Sequence, residues 1–300
     1  MYPEYDYIGK EKITENVEIA FPPQQQNKQP GLEYLMNPLP IAFNPYYVPS
    51  NKLKGKVAII TGGDSGIGRS IAILFALEGA DIVISYLDEH KDANETKNII
   101  TSIGRKCILV PGDISQSNNC NLVVENAINA FGKIDILINN CAVQFIKKSL
   151  LDITDKQLET TFKTNVFSYF YMSRAVLPYL RRGSSIINTA SITAYKGNED
   201  LLDYSSTKGA IVSFTKSLSS SLIKKGIRVN AVAPGPVWTP LIPSSYSKDE
   251  VKTFGTYTSK VPMNRAGQPF EIATSYLFLA SDDSRYMSGQ ILHPNGGEII

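Results

Sequence analysis

Thr61-Gly62-Gly63-Asp64-Ser65-Gly66-Ile67-Gly68 follows the apolar run Val57-Ala58-Ile59-Ile60 and leads directly into an amphipathic stretch from Ile67 to Leu77. Glycine permits a tight turn, lets backbone approach a bound phosphate closely, and allows a helix to pack hard against the preceding strand. The start of the helix presents unpaired N–H groups and the positive end of its dipole, both of which favour an anion. A glycine cluster by itself is weak evidence, because turns use glycine too. Its place between a strand and a helix is what a dinucleotide loop requires.

Working outward, short β-branched runs alternate with longer amphipathic segments. The further runs are Asp81 to Tyr86, Cys107 to Val110, Ile134 to Asn139, Ser185 to Thr189 and Ile227 to Val232. Continuous apolar strands suit a sheet covered on both faces. With helix-length segments between them, such as Lys156 to Leu180, the pattern predicts successive right-handed βαβ units. The expected fold is α/β: a Rossmann-type, doubly wound parallel sheet in a single domain over residues 51–300.

Residues 1–50 differ. They hold 8 of the 17 prolines, 6 of the 16 tyrosines and the run Gln24-Gln25-Gln26, and carry a net charge of −3 against +5 for the remainder. Proline fixes φ and removes donors, so the segment reads as an extended arm. Composition alone would equally allow a disordered tail. Phe21, Leu32, Tyr34, Leu35, Met36, Phe43, Tyr46 and Tyr47 would be costly to leave in water, which favours an arm packed on the core or on a neighbouring subunit.

Composition excludes several classes. Hydrophobic residues at 43% and charged residues at 19% are ordinary for a globular protein. Bases are scattered among acids, unlike a nucleic-acid-binding face. No run approaches the 18 apolar residues that mark a membrane span, and the acidic opening Met1-Tyr2-Pro3-Glu4-Tyr5-Asp6 lacks signal-peptide character, so a cytoplasmic location is expected. Cys107, Cys120 and Cys141 with His90 and His293 form neither a metal motif nor a disulfide framework, so no metal is expected.

The spacing Thr61-Gly62-x-x-x-Gly66-x-Gly68 differs from the general dinucleotide fingerprint and resembles the cofactor loop of the short-chain dehydrogenase/reductase family. Gly112-Asp113 after the third run and Asn139-Asn140 after the fourth also match. The family's Asn-Asn-Ala-Gly reads Asn139-Asn140-Cys141-Ala142 here. After the sixth run, Pro234-Gly235-Pro236-Val237-Trp238-Thr239 resembles the family's Pro-Gly turn beside the nicotinamide, and His293-Pro294-Asn295-Gly296-Gly297 its closing turn. The resemblance covers residues 52–300. It implies that Gly62, Asp64, Ser65, Gly66, Ile67, Gly68, Tyr86, Asp88, Asp113, Ile114, Asn140, Cys141, Ala142, Pro234, Gly235, Val237 and Thr239 bind a nicotinamide cofactor.

Cofactor choice is expected at the end of the second run, Tyr86-Leu87-Asp88-Glu89-His90-Lys91. A carboxylate there binds the ribose 2′-OH, whereas an arginine accepts a 2′-phosphate. Asp88 would repel a phosphate, which favours NAD. NADP stays the alternative because Lys91 or Arg69 could reach a phosphate, and acids at this point also suit the first turn of a helix.

Tyr204 and Lys208 stand four apart on a helical stretch and therefore share a face. A phenol of ordinary pKa is a poor base at neutral pH, and a neighbouring ammonium favours its phenolate. Such a pair alone is more often a solvated face. Here Ser191 lies 13 residues before Tyr204, as in the family, and Asn165 completes the family's Asn-Ser-Tyr-Lys tetrad. The resemblance implies that Tyr204 exchanges a proton with the substrate oxygen and Ser191 hydrogen-bonds that oxygen. Lys208 would hold the nicotinamide ribose and lower the Tyr204 pKa, and Asn165 would hold a water that relays protons.

The whole chain is similar to a bacterial subgroup labelled glucose/ribitol dehydrogenase-like or general-stress oxidoreductase. A small aldehyde, ketone, sugar or polyol substrate is expected, with Gln144, Trp238, Tyr195 and Asn198 as pocket candidates and residues 241–267 as a cover. A homotetramer is also expected from the resemblance. Two alternatives compete: a catalytically silent cofactor-binding sensor, which would usually lack the tyrosine or lysine, and a sugar-nucleotide epimerase, which the glycine spacing disfavours.

Overall fold

The computed structural model describes residues 21–256 and 261–300. Seven parallel strands form one sheet: β1 (Val57–Thr61), β2 (Asp81–Tyr86), β3 (Cys107–Pro111), β4 (Ile136–Asn139), β5 (Ser185–Thr189), β6 (Arg228–Val232) and β7 (Ile291–Leu292). Their order is β3-β2-β1-β4-β5-β6-β7. The direction of winding switches between β1 and β4, and ligands of open α/β sheets bind outside the carboxyl ends of strands at that point.

Helices α1 (Gly66–Leu77), α2 (His90–Ser102), α3 (Ser117–Phe131), α4 (Asp155–Phe162), α5 (Ser168–Val176), α6 (Thr193–Lys196), α7 (Leu202–Leu222), α8 (Lys248–Lys252) and α9 (Pro269–Ala280) complete the architecture. Alternation along each strand explains the unbroken apolar runs. Ile60, Ile82 and Ile84 pack towards Phe75 of α1 and Tyr276 of α9 on one face. Ile59, Val83 and Leu137 pack towards Val123 of α3 and Met172 of α5 on the other. Each run is apolar at successive positions because neither face meets water.

The six anticipated strands form within two residues of their expected ends. β7 escapes sequence reading because two residues carry no periodicity, and pairing to β6 (Ala231 to Ile291) creates it. The stretch Lys156 to Leu180 is not one regular helix. A π-helical turn, Lys163–Phe167, separates α4 from α5, and a 3-10 turn, Leu177–Tyr179, ends the run.

Residues 21–50 lie along this domain with a single 3-10 turn, Glu33–Leu35. The Phe21 ring stacks on Trp238 at 3.8 Å between centroids. The Trp238 indole donates to the Pro38 carbonyl at 2.9 Å, the Phe270 N–H to the Ile41 carbonyl at 3.2 Å, and the Ser70 hydroxyl to the Ala42 carbonyl at 2.6 Å. The Tyr47 hydroxyl bonds to buried Glu78. The arm thus packs on its own subunit. Residues 1–20, and 257–260 of the expected cover, lie outside the described residues. Among the described residues no helix is long and apolar enough to cross a membrane.

Candidate active site

The glycine loop closes over the carboxyl end of β1. Gly62 and Gly66 adopt φ of +62° and +52°, values that side chains rarely tolerate. At Gly68 the constraint is space: a Cβ would lie 1.8 Å from the Gly62 carbonyl oxygen and 2.9 Å from Asn140 Nδ2. Asn140 Nδ2 donates to the carbonyls of Thr61 (3.1 Å) and Gly62 (3.2 Å), and Thr61 Oγ1 accepts from the backbone N–H of Asn140 (2.9 Å) and Cys141 (3.2 Å). Asn139 crosses to β5 and donates to Asn188 Oδ1 at 2.9 Å. The Asn-Asn pair therefore binds the loop to the centre of the sheet.

Above the loop lies a cleft of about 900 Å³ running along the carboxyl ends of the strands. That size falls within the range of cofactor and ligand pockets. Gly62, Asp64, Ser65, Gly66, Ile67, Tyr86, Asp113, Ile114, Asn140, Cys141, Ala142, Pro234, Gly235, Val237 and Thr239 line it, whereas Gly68 sits behind, against the strand. A turn with two positive-φ glycines, Gly62 and Gly66, lining a long cleft with a helix N-terminus at its middle, fits a dinucleotide.

At the β2 end the geometry differs from expectation. Asp88 does not line the cleft; it points outward and pairs with Lys28 of the arm at 2.5 Å. Glu89 faces inward instead, 3% exposed, beside buried Asp64. Glu89 Oε2 accepts from the N–H groups of Leu87 and Asp88, and Oε1 has no partner. Burial pushes the Asp64 carboxyl up to about 7, with the nearby Glu89 charge adding to the rise. The two cations weighed for a phosphate are engaged elsewhere. Arg69 pairs with Glu33 at 2.8 Å, and the Lys91 ammonium sits 3.8 Å over the Tyr34 ring.

The other end gathers Ser191, Tyr204 and Lys208, all lining the cleft and each less than a tenth exposed. Ser191 follows β5, and its Oγ accepts from the Thr193 N–H at 3.2 Å. Tyr204 and Lys208 occupy the first turns of α7, one turn apart as their spacing requires. Lys208 Nζ donates to the Thr189 carbonyl at 2.8 Å and lies 5.4 Å from the Tyr204 ring centroid. Asn165 is fully buried behind the cleft, in the π-turn; its carboxamide bonds both backbone groups of Val143 at 2.8 Å and donates to Thr207 Oγ1 at 3.2 Å. A π-turn inserted in a helix is a recurrent device at functional sites.

Electrostatics run against the expected lowering of the Tyr204 pKa. Burial pushes the Tyr204 phenol up, opposed by its hydrogen bond to Ser191, and burial pulls Lys208 down to about 7. Desolvation disfavours the charged form of each and is the largest cause of both shifts.

Of the pocket candidates, Gln144 and Asn198 line the cleft. Trp238 does not: fully buried, its indole fills the joint between Phe21 and Pro38 of the arm. Tyr195 is turned to the surface, edge-on to His293 at 4.8 Å. Leu241, Ile242 and Tyr246 of the covering segment line the cleft, as do Gln29, Pro30 and Gly31 of the arm. The covering segment was visible as a region between β6 and α9, although not which residues turn inward. Nothing local in Gln29-Pro30-Gly31 marks it as a cleft wall. Among the described residues no group of three or more His, Cys, Asp or Glu is placed to hold a metal ion.

A sequence profile described as enoyl-(acyl carrier protein) reductase matches residues 62–298. The chain is 57% identical to the glucose and ribitol dehydrogenase of Daucus carota over 286 residues, 93% of this chain and 97% of that one. It is 52% identical to the chloroplastic NADPH-dependent aldehyde reductase 1 of Arabidopsis thaliana, covering 94% and 99%. Two solved structures superpose over most of the chain. A short-chain dehydrogenase from Burkholderia cenocepacia in complex with NADP gives a TM-score of 0.77 at 29% identity, covering 82% of this chain and 98% of that one. A 3-ketoacyl-(acyl-carrier-protein) reductase from Brucella melitensis with NADH gives 0.74 at 31%, covering 83% and 100%.

Proposed function

From the premise that the chain belongs to the short-chain dehydrogenase/reductase family of oxidoreductases, we propose that it moves a hydride between a nicotinamide cofactor and a small alcohol or carbonyl compound. The observation that carries this reading is the convergence of Ser191, Tyr204 and Lys208 on one wall of a cleft whose other end is a glycine phosphate loop. The same convergence weighs against a silent sensor.

The cofactor, when bound, supplies the hydride chemistry. The protein's part is proton supply and orientation. In reduction, the Tyr204 hydroxyl donates its proton to the substrate oxygen as the C–H bond forms, and the Ser191 hydroxyl donates a hydrogen bond to the same oxygen. Lys208, held by Thr189, places its ammonium where it offsets the phenolate left on Tyr204 and where a cofactor ribose would rest. Asn165 shapes the wall by holding Val143 from both sides, and would steady a water on the path from Lys208 to solvent. Gln144 and Asn198 supply polar contacts and Leu241 and Ile242 apolar ones, a mixture suited to a small aldehyde, ketone, sugar or polyol.

NAD is the cofactor we favour. Two buried carboxyls, Asp64 and Glu89, face the end of β2, and Arg69 and Lys91 are committed to other partners. A 2′-phosphate would meet these acids, and the arm's Lys28 at this end is already paired with Asp88. The NADPH-dependent Arabidopsis relative gives the NADP reading its support. With a panel of small aldehydes and polyols, kcat/KM for NAD(H) should exceed that for NADP(H) at least tenfold; a preference for NADP(H) overturns the assignment.

We also propose a homotetramer. Phe167 of the π-turn, Phe170 of α5 and Leu158 of α4 are each more than two-fifths exposed, and the Phe170 ring centroid lies 4.0 Å from that of Phe214 of α7, making an apolar face suited to a two-fold contact. Light scattering should return four times the 33.0 kDa chain mass, and a monomer refutes it.

A further inference from the structure

The arm enters the cleft from outside residues 62–298, the span that the family profile matches. Gln29 pairs with the backbone of Gln144, donating through Nε2 to its carbonyl at 2.5 Å and accepting at Oε1 from its N–H at 3.2 Å. Gly31 runs so close to the start of the covering segment that a Cβ would lie 2.3 Å from the carbonyl oxygen of Pro240, the residue before that segment. The chain then turns and buries Glu33, 2% exposed, against the start of α1.

There a closed knot of charges forms. Glu33 Oε2 accepts from the Gly66 N–H at 2.5 Å, and Oε1 pairs with Arg69 Nη1 at 2.8 Å. Arg69 Nε donates to the Asp64 carbonyl at 2.9 Å, and Nη2 pairs with Asp92 Oδ1 at 3.3 Å. The Asp92 carboxylate accepts from the N–H groups of Glu33 (2.8 Å) and Tyr34 (3.1 Å). Glu95 reaches Arg69 Nη1 at 3.7 Å from the solvent side. Buried charges are costly unless paired, so each member holds the others in place. Two of the backbone groups in this knot, Gly66 N and Asp64 O, belong to the phosphate loop.

Resting on the dinucleotide reading above, we propose that Glu33 is a positioning residue for the cofactor site. It reaches from the arm to hold the glycine loop in its binding shape, directly at the Gly66 N–H and through Arg69 at the Asp64 carbonyl. The solved structures above are covered almost completely yet span only 82–83% of this chain, and the family profile begins at residue 62, after the arm. The phosphate loop here is braced by a residue that its own motif does not contain.

Two variants and a control test the idea. In Glu33→Ala, NADH titrated by its fluorescence should bind about tenfold more weakly, the scale expected for losing a hydrogen bond to a charged group. Amide hydrogen exchange across residues 62–68 should quicken in the cofactor-free protein, while kcat at saturating cofactor stays within twofold. Glu33→Gln keeps an acceptor for Gly66 and loses the ion pair, so it should fall between, and it decides the matter if the alanine variant does not fold. Tyr47→Phe loosens the arm at Glu78, away from the cleft, and should leave NADH affinity unchanged. If both Glu33 variants melt earlier yet keep NADH affinity and loop exchange within twofold of the parent, Glu33 merely fastens the arm and the proposal fails. A parent protein that binds no NADH overturns the dinucleotide reading itself.

Discussion

Replacing Tyr204 with phenylalanine should lower kcat by about a thousandfold, within the 10²–10⁴ range typical for removal of a general acid, while NADH affinity changes by less than about threefold. The ring is buried and keeps its packing, so the substitution removes little more than the hydroxyl and its bond to Ser191. The pH profile of the parent sharpens the test. Burial holds the Tyr204 phenol protonated through neutral pH, which suits it to donate in carbonyl reduction. Burial also sets Lys208 near 7, so its ammonium is complete below that pH and is lost as pH rises through it. Reduction should therefore hold its rate below about 7 and decline above it, because the charge that offsets the forming phenolate disappears. Near-normal kcat in Tyr204→Phe, or a reduction rate that climbs from pH 7 to 9, would sink this assignment.

Gly68→Ala should weaken dinucleotide binding by up to about a hundredfold although Gly68 does not line the cleft. Its new methyl would sit 1.8 Å from the Gly62 oxygen and 2.7 Å from the Gly62 carbonyl carbon, both backbone atoms. Relief requires α1 to move away from β1 or the turn to open, and either shift breaks the Asn140 bonds to Thr61 and Gly62. Overpacking of this sort costs about 1–3 kcal/mol, which at about 1.4 kcal/mol per decade is up to a hundredfold in affinity if it falls mainly on the loop. NADH fluorescence titration and a melting curve measure both consequences. Unchanged affinity would mean that the close contact between helix and strand has no part in shaping the cofactor site.

Much of this molecule is legible locally. The glycine loop, the paired asparagines, the succession of parallel βαβ units and the Ser191, Tyr204, Lys208 spacing depend on requirements that act within a few residues or between neighbouring units. They are φ values above zero, the four-residue repeat of a helix face, and right-handed crossovers. Asn165 was legible as a position, but not the π-turn that turns its carboxamide onto Val143, because that turn depends on packing against α7.

What escaped local reading concerns which way side chains face and what surrounds them. Asp88 and Glu89 are neighbours with like chemistry, yet Lys28, sixty residues away, sits beside Asp88 at the surface while Glu89 lies buried at the cleft. Trp238 sits in a motif beside the nicotinamide position, yet the arm captures its indole from 200 residues upstream. Tyr204 and Lys208 have the spacing at which the ammonium is expected to lower the phenol pKa, yet burial raises it and lowers that of Lys208.

The sequence by itself determined strands β1 to β6, the glycine loop and the spacing of Ser191, Tyr204 and Lys208, because short-range sterics and periodicity specify them. Only the tertiary structure decided that the arm walls the cleft, and which acids face it at the end of β2. Those outcomes depend on desolvation and on contacts between distant segments, which no window along the chain contains.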